Sequence, residues 1–196
     1  MRRMLAYLLL ALCAGCFTSV PPPPTAWMVE PRPSDRPATD VEKSPAAFGT
    51  TRIGTIVVSA PFDRAPFVVR RADGSVAFDA FNAFAAAPAT LLRQSVKSQL
   101  ASDGRFGHVV SPSSVASADA SVEVLVTDLS LDCSESGKRM ARAAVSVDVV
   151  KTGRGSRVVA FSADGAGEAD AASGNYSDAF SIAFNSAFAE ALKGMK

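Results

Sequence analysis

The stretch ASVEVLVTDLSLDC, residues 120–133, decides the fold. Its first half alternates strictly, with Val122, Val124 and Val126 on one parity and Ser121, Glu123 and Leu125 on the other. A period of two is the signature of a half-buried strand, because successive side chains point to opposite faces. Beyond Thr127 the apolar positions Leu129, Leu131 and Cys133 take the opposite parity. A slip of one residue would turn every later side chain to the wrong face, so the pattern predicts a β-bulge near Thr127 or Asp128. A polar turn at residues 134–138 follows, and residues 140–150 alternate again, with Ala143, Val145, Val147 and Val149 on one face. After the turn signal Lys151-Thr152-Gly153-Arg154-Gly155, residues 158–163 complete a three-stranded antiparallel meander.

Upstream, residues 52–59 carry β-branched bulk at Ile53, Ile56, Val57 and Val58 and read as a strand that Pro61 stops. Residues 67–71 and 75–78 flank Ala72-Asp73-Gly74, whose Asp-Gly pair favours a tight hairpin turn. The three residues Phe78, Phe81 and Phe84 then fall in an alanine-rich stretch that reads as loop up to Pro88. Pro88 suits the first turn of a helix, and Leu92, Val96 and Leu100 recur at intervals of four, so an amphipathic helix is expected to about Ala101. Asp103-Gly104 ends it, and residues 106–110 form a short strand. At the other end of the chain Tyr176, Phe180, Phe184, Phe188 and Leu192 make an unbroken ladder of fours, flanked by Ala179, Ala183, Ala187 and Ala191. That is one broad apolar stripe for packing, with alanines that let the helix lie close to a sheet. The order of elements predicts an α+β domain, an antiparallel β-sheet packed against two α-helices on one face.

Chemistry-bearing constellations are sparse. His108 is the sole histidine and sits between Gly107 and Val109 on an expected strand, so neither a zinc site nor a Ser-His-Asp triad has its parts, and no Gly-x-Ser-x-Gly turn occurs. Gly165-Ala166-Gly167 lacks the third glycine of a dinucleotide loop, and no Walker A sequence is present. Asn175-Tyr176-Ser177 matches a glycosylation sequon but reads better as the start of the last helix. The expectation is no catalytic residue, no metal, no cofactor and no enzyme. With 20 basic and 19 acidic residues the chain has no cationic excess for nucleic acid.

The N-terminus has its own logic. Arg2 and Arg3 precede an apolar block over residues 4–12, which narrows to Ala14 and Gly15 before Cys16. This is the layout of a secretory signal, and the block is too short for a permanent membrane span. Cys13-Ala14-Gly15-Cys16 resembles the lipobox of bacterial lipoproteins, with Cys13 where leucine is usual; the resemblance implies that residues 1–15 are removed and Cys16 is lipidated. The alternative is an ordinary signal peptide cut near Ala14 or Gly15. Removing residues 1–15 leaves 18 basic against 19 acidic side chains. With Cys13 gone and Cys16 lipidated, Cys133 stands alone, has no disulfide partner and is expected to be buried. Residues 16–48 read as a Pro-rich tether, in which Pro21 to Pro24 are consecutive. Trp27-Met28-Val29 is the apolar cluster in it and is expected to dock on the domain, residues 49–196, as a short edge strand.

Several stretches together resemble the ABC-type transport auxiliary lipoproteins, which include the lipoprotein of the paraquat-inducible intermembrane transport system. Pro24-Thr25-Ala26-Trp27-Met28-Val29 is similar to that family's opening strand, Phe62-Asp63-Arg64-Ala65-Pro66-Phe67-Val68-Val69-Arg70 to its arginine-ended segment and hairpin, and Phe84-Ala85-Ala86-Ala87-Pro88 with Leu91-Leu92 to its entry into the first helix. The resemblance implies a lipoprotein anchored in the outer membrane and facing the periplasm. Its implied partners are an MCE-domain (mammalian cell entry) protein and an inner-membrane ABC transporter that move lipid between membranes, and it implies a capacity for homo-oligomeric rings. Phe17, which follows Cys16, is not the aspartate associated with inner-membrane retention. The alternative is a structural lipoprotein of another envelope assembly or secretion machine. Phe62, Phe67, Phe81 and Phe84 are the candidate partner-binding residues, as apolar side chains expected in exposed loops.

Overall fold

The computed structural model describes residues 22–32, 47–153 and 156–194. The signal sequence, Cys13, Cys16 and most of the tether lie outside the described residues. Eight strands and two helices follow one another as β1 (Thr25–Trp27), β2 (Thr50–Val58), β3 (Pro66–Arg71), β4 (Val76–Phe84), α1 (Pro88–Ser102), β5 (His108–Val110), β6 (Ala120–Cys133), β7 (Met140–Gly153), β8 (Ser156–Asp170) and α2 (Tyr176–Lys193).

β6 is the spine. One of its edges pairs antiparallel with β7 along nearly its whole length, and β7 pairs antiparallel with β8, which is the expected meander. Its other edge is shared: β2 runs parallel to it from Ala120 to Val126, and β3 runs parallel to it from Ser130 to Cys133. The register shift falls between Val126 and Asp128, where the bulge was expected and where the edge passes from β2 to β3. β5 lies parallel outside β2, β4 antiparallel outside β3, and β1 parallel outside β4. The sheet is therefore mixed rather than antiparallel throughout. Apolar alternation identifies a strand but not its direction; β2 and β6 are separated by the β3–β4 hairpin and α1, and a long crossover of that kind permits parallel pairing where a tight turn does not.

Both helices cover one face. α1 begins with Pro88 at its first turn and buries Leu91, Leu92, Val96 and Leu100. α2 is capped by Asn175, whose side chain accepts the Asp178 backbone N–H, while Asp178 supplies a negative charge to the first turn. Its whole stripe, Tyr176, Phe180, Phe184, Phe188 and Leu192, is buried, as are Val122, Val124 and Val126 of β6 and Val145, Val147 and Val149 of β7.

β8 continues to Asp170, beyond the end expected near Ala163. Gly165 and Gly167 look like strand breakers in the sequence, yet they are the contact with α2. A Cβ on Gly165 would lie 2.0 Å from the Ala187 carbonyl oxygen, and one on Gly167 would lie 2.2 Å from that of Ala183. Glycine facing alanine brings helix and sheet backbones together where no larger pair fits.

β4 likewise extends through the stretch expected as loop. Between the pairs Val68↔Phe78 and Pro66↔Ala83 the register shifts, and four residues of β4 stand against one of β3. This bulge breaks the alternation, which is why the segment does not read as a strand.

Candidate interaction site

Two structures built by residues 22–32 and by the β4 bulge bear on what the domain does. In the first, β1 docks beside the end of β4, with Trp27 level with Phe84. This is the edge strand expected around Trp27. The indole N–H donates to Asn82 Oδ1 at 3.0 Å, and the ring meets Tyr176 edge-on at 5.4 Å between centroids. The chain then runs along α2 past Ser177, Ser181 and Asn185, three polar residues at intervals of four on one side of the helix. Ser177 Oγ donates to the Met28 carbonyl at 2.8 Å, the Glu30 N–H donates to Ser181 Oγ at 2.8 Å, and Asn185 Nδ2 donates to the Glu30 carbonyl at 3.3 Å. Val29 between them is buried, and Arg32 closes the row on Asp178. Gln99 of α1 donates to Asn185 Oδ1 at 2.6 Å, which ties both helices to this strap. The polar positions of α2 were hidden in the sequence by its aromatic ladder; the spacing of Ser177, Ser181 and Asn185 was the available signal.

The second structure is the rim of β4. Asp79 shapes it: one carboxylate oxygen accepts the Phe81 and Asn82 backbone N–H groups at 2.7 and 3.1 Å, and the other accepts Asn82 Nδ2 at 3.0 Å. The loop so pinned holds Phe81 65% exposed and leaves Phe78 48% exposed, the two exposed phenylalanines among the described residues. Arg64 stacks over Phe78 at 5.6 Å.

The four candidate phenylalanines separate accordingly. Phe81 alone stands in solvent; Phe62, Phe67 and Phe84 are buried, which corrects the expectation that they lie in exposed loops. Phe67 and Phe84 stack at 4.7 Å and both meet Phe180, at 4.8 and 5.0 Å, so they are core contacts of α2. Phe62 lies 5.7 Å from the Arg70 guanidinium, which in turn donates to Ser130 and Asp128 of β6.

Asp132 is held below the usual carboxylate range by its hydrogen bonds from Ser134, with Arg142 and Arg70 adding to the effect. Cys133 is half-buried rather than enclosed, and burial pushes its thiol up, with Arg139 pulling the other way. His108 is exposed. Among the described residues no group of three metal-ligating side chains converges, and no described helix is long and apolar enough to cross a membrane.

The family model described as ABC-type transport auxiliary lipoprotein component matches residues 33–183. The chain belongs to that family. Its fold is also that of a solved relative: the crystal structure of protein XCC0632 from Xanthomonas campestris, a DUF330 protein, is similar at 14% identity with a TM-score of 0.57, over 83% of this chain and 86% of that one. A second structure, of an uncharacterized protein, is similar at 12% identity with a TM-score of 0.48, over 76% of this chain and 80% of that one. No curated protein matches significantly. As a member of the auxiliary lipoprotein family, the chain has β1 and the Pro-rich run before it in advance of the matched residues.

Proposed function

We propose that this protein is a non-enzymatic adaptor, lipidated at Cys16, anchored in the outer membrane and facing the periplasm, that serves an ABC transporter and an MCE-domain protein in moving lipid between membranes. Membership of the auxiliary lipoprotein family over residues 33–183 carries the reading. The strap supports it, because β1 and the hydrogen bonds to Ser177, Ser181 and Asn185 fasten the chain firmly to the domain a short distance after Cys16. A domain fastened in this way stays within the reach of a short stretch of chain from its anchor, which suits an adaptor between two membranes.

Isolation of the full-length protein from native membranes tests this. An MCE-domain protein and ABC transporter subunits are expected to accompany it, and recovery of β-barrel or secretion components alone would replace the lipid-transport reading with that of another envelope assembly. In the same preparation Cys16→Ser should move the protein from the membrane to the soluble fraction; unchanged partitioning would remove the anchor from the proposal.

A further inference from the structure

The route by which the chain enters the domain bears on the exposed rim of β4. β1 covers β4 over the pairs Thr25↔Asn82 to Trp27↔Phe84, and among the described residues no strand covers the outer edge of β4 before Asn82. Because β1 and β4 are parallel, the residues before Thr25 arrive from the Phe81 side of Asn82. Pro22, Pro23 and Pro24 are exposed there and lack the N–H groups that would extend the ladder. Eight residues lie between Cys16 and Thr25, and the nine Cα-to-Cα steps from one to the other reach about 30 Å when fully extended. A lipid on Cys16 therefore keeps Thr25, with Phe81 close by, within about 30 Å of the bilayer.

The geometry points to a membrane-facing rim: Phe78 and Phe81 enter the headgroup boundary of the bilayer that holds Cys16. This rests on the lipidation of Cys16 stated above. Exposed aromatic rings gain from that boundary, where their apolar bodies leave water. The Asp79 carboxylate beneath them is no obstacle, since three N–H groups of the bulge already satisfy it. Arg64, stacked on Phe78, stands ready for a lipid phosphate. Asp63, Asp73 and Asp79 slightly outweigh Arg64 and Arg71, so the rings rather than net charge drive the contact, and added salt should not weaken it.

The test uses full-length lipidated protein in phosphatidylethanolamine and phosphatidylglycerol vesicles whose acyl chains carry bromine. With Trp27→Phe removing the native indole, single reporters are placed by Phe81→Trp, Phe78→Trp and, on the opposite edge strand where Val158 is also exposed, Val158→Trp. Quenching at positions 81 and 78 should exceed that at 158 roughly threefold, as for rings at the acyl boundary. Equal quenching at all three positions on vesicle-bound protein would overturn the rim and leave the anchor standing. Protein that fails to associate with vesicles would overturn Cys16 lipidation and the rim together. A Phe81→Asp variant that loses its co-purifying MCE-domain protein, while the Trp reporters stay unquenched, would assign the rim to a protein surface instead.

Discussion

Two strands near the rims of this sheet, β8 and β4, meet their surroundings in opposite ways. At two positions of β8 the strand gives up its side chain, so that Gly165 and Gly167 meet the backbone of α2 at Ala183, Ala187 and Ala191. At β4 the strand bulges outward, and Asp79 spends its carboxylate on holding the bulge open around Phe81. The first arrangement removes surface; the second displays it. Position in the fold, and not residue type, separates the structural aromatics from the available ones: Phe180 and Phe81 are the same residue with opposite exposures.

The largest expected effect comes from damaging the close contact between β8 and α2. Gly165→Val places a branched side chain where even a Cβ would be 2.0 Å from the Ala187 carbonyl oxygen and 2.6 Å from the Ala191 nitrogen. Both obstacles are backbone, so α2 must move away from the sheet. A loss of about 3 kcal/mol or more is expected for overpacking of this kind, which for a domain of this size lowers Tm by roughly 6–12 °C. Ala166→Val, one residue away but on the solvent face, should stay within about 0.5 kcal/mol. Thermal unfolding of the pair measures the contrast, and a Gly165→Val protein as stable as Ala166→Val would show that the close approach does not matter.

That contact also shows how much of the fold was legible in the sequence. Regular periodicity was readable: the meander, both helices and the bulge after Val126 follow from spacing, and the docking of Trp27 from an apolar cluster standing alone in a Pro-rich stretch. What could not be read were contacts in which regularity is broken for a tertiary reason. Gly165 and Gly167 weaken a strand locally and are justified only by the helix opposite them, so β8 looks shorter in the sequence than it is. The Asp79 to Asn82 bulge disrupts the alternation of β4, so the strand carrying Phe81 looks like a loop. The same misreading put Phe84 beside Phe81; Phe62 does lie in the turn between β2 and β3 yet is buried, and Phe67 is buried on β3, so neither lying near a turn nor being apolar establishes exposure. The parallel direction of β2 and β3 was equally hidden, since direction depends on connections and not on side-chain pattern.

An intermediate effect is expected where the strap crosses α2. Asn185→Leu keeps the number and branching of side-chain heavy atoms but leaves the Glu30 carbonyl without its donor and the buried Gln99 amide without its side-chain acceptor. Unsatisfied buried groups of this kind cost about 1–3 kcal/mol. The loss should be local as well as global, because Glu30 follows Trp27 by three residues in the segment that Asn185 holds. Trp27 is the only tryptophan, so a red shift of its emission in Asn185→Leu would report a loosened strap directly. Lower stability without that shift would place the damage between the helices instead.

The smallest effect on stability belongs to the open rim. Phe81→Ser removes a ring that is 65% exposed and leaves the backbone N–H of residue 81 free to donate to Asp79, so the bulge keeps the bonds that define it. The change in unfolding free energy should stay within about 0.5 kcal/mol, the range of ordinary surface substitutions. Stability is the discriminating measurement because a large loss would mean that Phe81 packs on its own domain and is not on offer to anything outside it. An unchanged Tm would show that the fold does not need the ring, and a solvent-facing aromatic that the fold does not need is the residue whose removal isolates the rim's contact with the membrane from the integrity of the sheet.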